Sequence, residues 1–186
     1  MFGKDMLIQC ILRVEDNVKI VVTEIISLFL EKYFEQENPY KYIDLILTNL
    51  AETLKLSDDI EGSVIFVFNL INQILNLADF NPSLSSFRIE TAVFFPFNFH
   101  KVVKVRRTFS SLINKFLKIP KFFSPEQLVT LHTLTVQSLI MEEDEILFTI
   151  QSNNLRLIVK EILTEKGAIN GYVKYLSTYL FMPERF

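Results

Sequence analysis

Apolar residues recur at intervals of three and four along most of this chain, and that spacing constrains the fold more than any other feature. An α-helix turns once in about 3.6 residues, so residues spaced in this way line one face of a helix. Three such stripes stand out: Leu7, Ile11, Val14, Val18, Val21, Ile25 and Leu28; then Ile60, Val64, Val67, Ile71, Ile74 and Ala78; and then Val102, Val105, Phe109, Leu112, Phe116 and Ile119. We therefore predict an all-α fold.

Helix-boundary signals divide the chain into about seven to nine helices with short connections. Asn38-Pro39 and Ser57–Glu61 are typical helix starts, and Ser124-Pro125-Glu126-Gln127 is a capping box with proline at the first helical position. That last helix is expected to run to about Met141, and Glu142–Glu145 is expected either to continue it or to cap the next helix. Further helices are expected from about Asn154 to Glu165 and from Ile169 to Phe181. Residues 79–99 break the helical pattern, and either a short helix or a strand is left open around Phe87 to Val93.

Short connections favour stacked antiparallel helices, as in an armadillo- or HEAT-like solenoid or an irregular helical bundle. No repeated sequence signature separates these two architectures. We assign residues 1–186 to a single helical domain, with sub-halves 1–80 and 96–186 if the Pro- and Phe-rich segment 81–99 acts as a connection.

Composition excludes several classes of protein. Gly 4 and Pro 6 argue against Rossmann, P-loop and β-barrel folds, which need glycine at fixed places. Cys10 is the sole cysteine, so neither an intramolecular disulfide nor a thiolate zinc site is expected. The chain has no secretory signal at its start and no apolar run long enough to cross a bilayer. These features predict a protein that is not transmembrane and is intracellular, either cytoplasmic or nuclear.

Charge is distributed unevenly along the chain. The net charge is -3, yet residues 91–125 contain seven basic side chains and no acidic one: Lys101, Lys104, Arg106, Arg107, Lys115, Lys118 and Lys121. Residues 1–90 carry 7 basic and 14 acidic side chains. The basic segment is interpreted either as a solvated helix face that balances the acidic half or as a surface for an anionic partner. Helical geometry places Lys101, Lys104, Lys115 and Lys118 on one flank of the apolar stripe.

Four phenylalanines lie close together just before the basic segment: Phe94, Phe95, Phe97 and Phe99. One interpretation is that they wedge this connection into the core between two helical layers. The alternative is an exposed anchor for a partner, because aromatic side chains dominate the centres of protein interfaces. Stacking on nucleobases is a third interpretation.

Residues with catalytic or metal-binding potential are few. Neither His100 nor His132 has an Asp or Glu three or four residues away, and Cys10 lies in an apolar helix where a buried structural role is usual. The acidic run Glu142–Glu145 lacks the spacing and central glycine of a calcium loop, so a solvated turn is expected. We expect no enzyme activity, no metal and no cofactor.

The function expected from these observations is a non-catalytic helical scaffold or adaptor subunit that binds other proteins within a larger complex. The candidate partner-binding residues are the seven basic residues and the four phenylalanines above. One alternative is a nucleic-acid-associated subunit that uses the basic segment 101–121, and another is an enzyme with an unrecognised site. Because the stripes Leu7–Leu28 and Ile60–Ala78 look too wide for one neighbour, self-association without a partner is also expected.

Overall fold

The computed structural model describes residues 40–56, 61–77 and 87–164, together with the single helical positions 21, 24, 25, 28 and 173. Six α-helices run through these ranges: α1 (Tyr40–Leu56), α2 (Glu61–Leu77), α3 (Thr91–Phe94), α4 (Val103–Phe116), α5 (Pro125–Met141) and α6 (Glu145–Thr164). A 3-10 turn, Phe95–Phe99, follows α3 directly. No strand occurs in the described ranges, so the prediction of an all-α fold is confirmed there.

The predicted helix starts are found where the sequence signals lie. α1 begins directly after the Asn38-Pro39 signal. At the start of α5, Ser124 Oγ accepts a hydrogen bond from the Gln127 amide at 3.2 Å, and Gln127 Oε1 accepts one from the Ser124 amide at 3.0 Å. This is the reciprocal pair of a capping box. α5 ends at Met141, as predicted.

The last described helix begins earlier than the sequence pattern indicated. α6 begins at Glu145 and not near Asn154, because Asp144 caps it: the Leu147 amide donates to Asp144 Oδ1 at 2.8 Å. The buried face of α6 consists of Leu147, Gln151, Asn154, Ile158 and Ile162. Two of these five are polar, so the apolar periodicity is interrupted in the middle of a continuous buried face. The predicted helix from Ile169 to Phe181 lies outside the described residues, apart from Val173.

The segment that breaks the helical pattern is described from residue 87 onward. Phe87 and Ile89 are buried in non-helical backbone, and α3 and the 3-10 turn follow with Pro96 near the start of the turn. Of the two options left open for this segment, a short helix is therefore found.

The packing order of the helices differs from their order in the chain. α2 packs against both α1 and α4, and α6 packs against both α4 and α5. The 3-10 turn contacts α4 on one side and α5 on the other, and α3 contacts α1. Buried apolar residues from α1, α2, α4, α5, α6 and the segment before α4 form one cluster. The assignment of all 186 residues to one domain stays a prediction.

The apolar stripe of α2 is covered within the chain. Val64, Val67, Ile71 and Ile74 are all fully buried between neighbouring helices. The described part of this stripe therefore needs no second chain to cover it. The first predicted stripe, Leu7–Leu28, lies outside the described residues except for Val21, Ile25 and Leu28, whose side chains are exposed.

Candidate interaction surfaces

Three lysines of the basic segment form a ridge along the outer side of α4 and the turn that follows it. We call Lys104, Lys115 and Lys118 the lysine ridge; Lys104 and Lys118 are exposed and Lys115 is half-buried. The opposite face of α4 carries the buried stripe that faces the core. Burial and the neighbouring charge of Lys118 lower the pKa of Lys115, whose Nζ donates to Asn76 Oδ1 of α2 at 2.7 Å. No acidic side chain in the described ranges makes an ion pair with the ridge.

The two remaining lysines of the segment lie in its connections. Lys101 is exposed in the bend just before α4. Lys121 is exposed in the turn between α4 and α5, where its φ of 57° is in the left-handed region. Of the four lysines predicted to share one flank, Lys104 and Lys115 lie within α4. Lys118 lies in the turn directly after α4, and Lys101 lies in the bend before it.

The two arginines each pair with a carboxylate of the acidic run between α5 and α6. Arg106 forms two hydrogen bonds with the Glu142 carboxylate, Nε to Oε2 at 3.1 Å and Nη2 to Oε1 at 2.9 Å. Its remaining nitrogen, Nη1, donates to the His100 carbonyl at 2.9 Å. The side chain of Glu142 is only 4% exposed. The turn that was expected to be solvated therefore supplies a buried partner to α4.

Arg107 and Asp144 also form two hydrogen bonds between one guanidinium group and one carboxylate. Arg107 Nε donates to Asp144 Oδ1 at 2.9 Å, and Nη2 donates to Oδ2. The hydrogen bond from Arg107 and that from the Leu147 amide lower the pKa of Asp144, and the same bond with Asp144 raises the pKa of Arg107. Since Asp144 also caps α6, these contacts join the start of α6 to α4.

The phenylalanine cluster is divided between core and surface. Phe94 and Phe95 are buried, and Phe97 is half-buried with its ring edge-on to Phe68 of α2 at 5.1 Å between centroids. Phe99 is 46% exposed. The core interpretation thus describes the positions of three rings. Phe99 alone of the four is exposed, and its binding to a partner stays a prediction.

A groove of about 260 Å³ opens beside Phe99. Its lining consists of Asn98, Phe99, Arg106, Ser138, Met141 and Glu142. Behind it, Gln151 Nε2 of α6 donates to Ser138 Oγ of α5 at 2.8 Å, and Asn98 Nδ2 donates to the Leu134 carbonyl at 2.8 Å. Sequence reasoning missed this groove because its residues come from three separate segments, and no local spacing relates them.

Neither histidine belongs to a group of side chains that could bind a metal ion among the described residues. His100 Nδ1 accepts a hydrogen bond from the Val102 amide at 3.1 Å, at the start of α4. His132 is buried on the inner face of α5, and burial lowers its pKa. In the part of the chain that the structure describes, no group of three or more His, Cys, Asp or Glu side chains could hold a metal ion. Cys10 lies outside that part.

Comparisons with protein-family models, with curated proteins and with solved structures found no match. Among the helices described here, none combines the length and the apolar character needed to cross a membrane.

Proposed function

We propose that this chain is a non-catalytic helical scaffold or adaptor subunit that binds an acidic segment of another protein through the lysine ridge of α4. The observation that carries the proposal is the separation of the basic residues into two sets. Arg106 and Arg107 are neutralised by Glu142 and Asp144, whereas the ridge makes no ion pair within the described residues. Charge left on one side of a helix is free to meet an external anion.

The packing of the helices supports a scaffold built as an armadillo- or HEAT-like solenoid. α2, α4 and α6 pack in succession as one layer. α1, then α3 with the 3-10 turn, and then α5 form a second layer, and each contacts its counterpart in the first: α1 with α2, the 3-10 turn with α4, and α5 with α6. Alternation of consecutive helices between two layers is the arrangement of α-solenoids, which present extended surfaces to other proteins.

The chemistry of the ridge favours a protein over a nucleic acid as partner. Phosphates are best recognised by arginine, whose planar fork binds two oxygens at once. The guanidinium groups of both arginines in the basic segment already donate hydrogen bonds to carboxylates. The ridge offers only lysine point charges, and the chain as a whole is acidic, with a pI of about 5.5.

We propose that this scaffold functions in the cytoplasm or the nucleus.

The test compares two double variants with the same change in net charge. Lys104→Glu/Lys118→Glu reverses the ridge, and Arg156→Glu/Lys160→Glu reverses two exposed cations on α6. Binding of each protein to a polyglutamate peptide, a single-stranded RNA and a duplex DNA of matched length is measured by fluorescence anisotropy at several salt concentrations.

We expect the wild type and the α6 variant to bind the acidic peptide in preference to both nucleic acids, and the ridge variant to bind it at least tenfold more weakly. Preferential and salt-sensitive binding to RNA or DNA that the ridge variant loses would replace this proposal with the nucleic-acid alternative. Equal affinity of the two variants for the peptide would refute the role of the ridge.

A further inference from the structure

One hydrogen bond joins the lysine ridge to a neighbouring helix. Lys115 Nζ donates to Asn76 Oδ1 at 2.7 Å, and Asn76 lies in the last turn of α2. The two residues are 39 positions apart in the chain, and the packing of α2 against α4 brings them together. Asn76 is exposed, so this contact lies at the surface of the molecule, where the two helices meet.

Hydrogen-bond chemistry fixes the orientation of the Asn76 amide. An ammonium group has donors only, so the amide oxygen, and not the amide nitrogen, must face Lys115. The nitrogen Nδ2 is bonded to the same carbon and is itself a donor. No described residue accepts a hydrogen bond from Asn76 Nδ2. Lys115 Nζ and Asn76 Nδ2 are therefore two neighbouring donors at the surface.

Lys115 differs from the two other lysines of the ridge. Lys104 and Lys118 are exposed, and their side chains make no hydrogen bond or ion pair within the described residues. Lys115 is half-buried and is held by Asn76. A side chain that is already held in place loses less conformational freedom when it binds a partner. Its charge is also less screened by water, as the lowered pKa of its ammonium group indicates.

The surroundings of this contact favour an anion. The charge of Lys118 acts on Lys115, because it contributes to the lowered pKa of Lys115. A carboxylate at Lys115 is therefore attracted by both lysines. The ion pairs found in the described ranges involve Lys55, Arg106 and Arg107, so no acidic side chain of those ranges neutralises Lys115.

We infer that Asn76 is a positioning residue of the ridge, and that Asn76 and Lys115 together bind one carboxylate of the acidic partner. The oxygen of Asn76 holds Lys115 Nζ in place, and its Nδ2 donates to the same carboxylate as Lys115. A carboxylate has two oxygens and accepts from two donors at once. This inference rests on the proposed function of the ridge, and it extends the binding surface from α4 to α2.

The experiment removes this contact without changing the net charge. Asn76→Leu keeps the approximate size of the side chain and removes both its acceptor and its donor. Asn153→Leu is the matched control, because Asn153 also accepts a hydrogen bond from a cation at the surface, Arg156 Nη2 of α6 at 3.1 Å. Fluorescence anisotropy measures the affinity of each full chain for the polyglutamate peptide at several salt concentrations.

We expect Asn76→Leu to bind the peptide about fivefold more weakly than the wild type, because one hydrogen bond and the position of Lys115 are lost. Asn153→Leu should bind like the wild type. The salt dependence of the affinity should not change in Asn76→Leu, since all three lysines of the ridge keep their charge. If Asn76 has a structural role alone, the substitution changes the urea midpoint of unfolding and leaves the affinity unchanged.

A second comparison tests whether Asn76 acts through Lys115. Lys115→Met and Lys118→Met each remove one charge and keep the apolar part of the side chain. Lys115→Met should weaken binding more than Lys118→Met does. Addition of Asn76→Leu to Lys115→Met should cause a smaller further loss than Asn76→Leu causes in the wild type, because the two residues act as a pair.

The inference and the proposed function fail in different ways. Wild-type affinity in Asn76→Leu, equal losses in Lys115→Met and Lys118→Met, or fully additive losses in the double variant would each overturn the role of Asn76. The proposed function survives these results if Lys104→Glu/Lys118→Glu still binds the peptide weakly. Binding of wild-type strength by that reversed variant would overturn both.

Discussion

Asn154 shows how one buried amide joins two helices. Its Nδ2 donates to the Ser110 carbonyl of α4 at 2.8 Å, and its Oδ1 accepts from Asn114 Nδ2 at 2.7 Å. We expect Asn154→Ala to lower the free energy of unfolding by about 2 kcal/mol, because a buried carbonyl loses its donor. Urea denaturation followed by circular dichroism measures this.

The neighbouring Asn153 is the control for that prediction. It is half-exposed and accepts a hydrogen bond from Arg156 on the surface of α6. Asn153→Ala should change the free energy of unfolding by less than about 0.5 kcal/mol. Equal effects of the two substitutions would show that the amide of Asn154 does not stabilise the contact between α4 and α6.

His132 makes stability depend on pH. Burial lowers its pKa from the ordinary value of 6.5, so below that value the unfolded chain binds a proton that the folded chain does not. Stability due to this residue is therefore complete above pH 6.5 and falls as the pH drops toward the lowered pKa of the folded state. We expect His132→Gln to flatten the decline in unfolding free energy as the pH falls below 6.5. An unchanged decline in that variant would contradict the prediction.

Among the helices, the connection from α5 to α6 depends on the buried ion pair between Arg106 and Glu142. Removal of one partner leaves the other charge buried without compensation, which typically costs about 3 kcal/mol. We expect a loss of this size in Glu142→Ala, measured as a shift of the denaturation midpoint. Glu142→Ala leaves Arg106, whose side chain is 21% exposed, whereas loss of Arg106 leaves a carboxylate that is only 4% exposed. Removal of Arg106 should therefore cost more than removal of Glu142.

A double variant separates the ion pair from the packing around it. Arg106→Met/Glu142→Leu removes both charges and keeps apolar volume at each position. It should be more stable than Glu142→Ala, because no unpaired charge remains. If the double variant is the less stable of the two, the hydrogen bonds of Arg106 to the His100 and Lys101 carbonyls matter more than the pair with Glu142.

For the whole molecule, Phe68 connects parts of the chain that are distant in sequence. Its ring is fully buried in α2 and lies against Phe94 of α3, Phe97 of the 3-10 turn and Phe109 of α4. We expect Phe68→Ala to cost about 4 kcal/mol in unfolding free energy. Since domains of this size are usually stable by about 5–15 kcal/mol, that loss would leave the fold marginal.

Phe148 is the matched control for this loss, since it lies on the exposed side of α6. Phe148→Ala should change the unfolding free energy by less than about 0.5 kcal/mol. The unfolding free energies of both variants are measured by urea titration. A similar loss in both would mean that the contacts of Phe68 with Phe94, Phe97 and Phe109 do not stabilise the packing of α2 against α3, the 3-10 turn and α4.

The candidate surfaces were predictable only in part. Sequence analysis identified the basic segment because the absence of acidic residues from 91–125 can be read directly from the amino-acid sequence. It could not separate the lysines of this segment from Arg106 and Arg107, since the carboxylates that pair with these arginines lie 36 and 37 residues away in the chain.

By itself, the sequence determined the helical class of the described residues, the start of α1 and both ends of α5. These depend on local physics, because apolar periodicity, the Ser124 capping box and the positions of Pro39 and Pro125 act within a few residues. Tertiary structure decided the rest. The buried face of α6 continues through polar Gln151 and Asn154, since partners on other helices satisfy both side chains. Hydrogen bonds between distant segments make the burial of such side chains favourable. These bonds cannot be predicted from the local spacing of apolar residues.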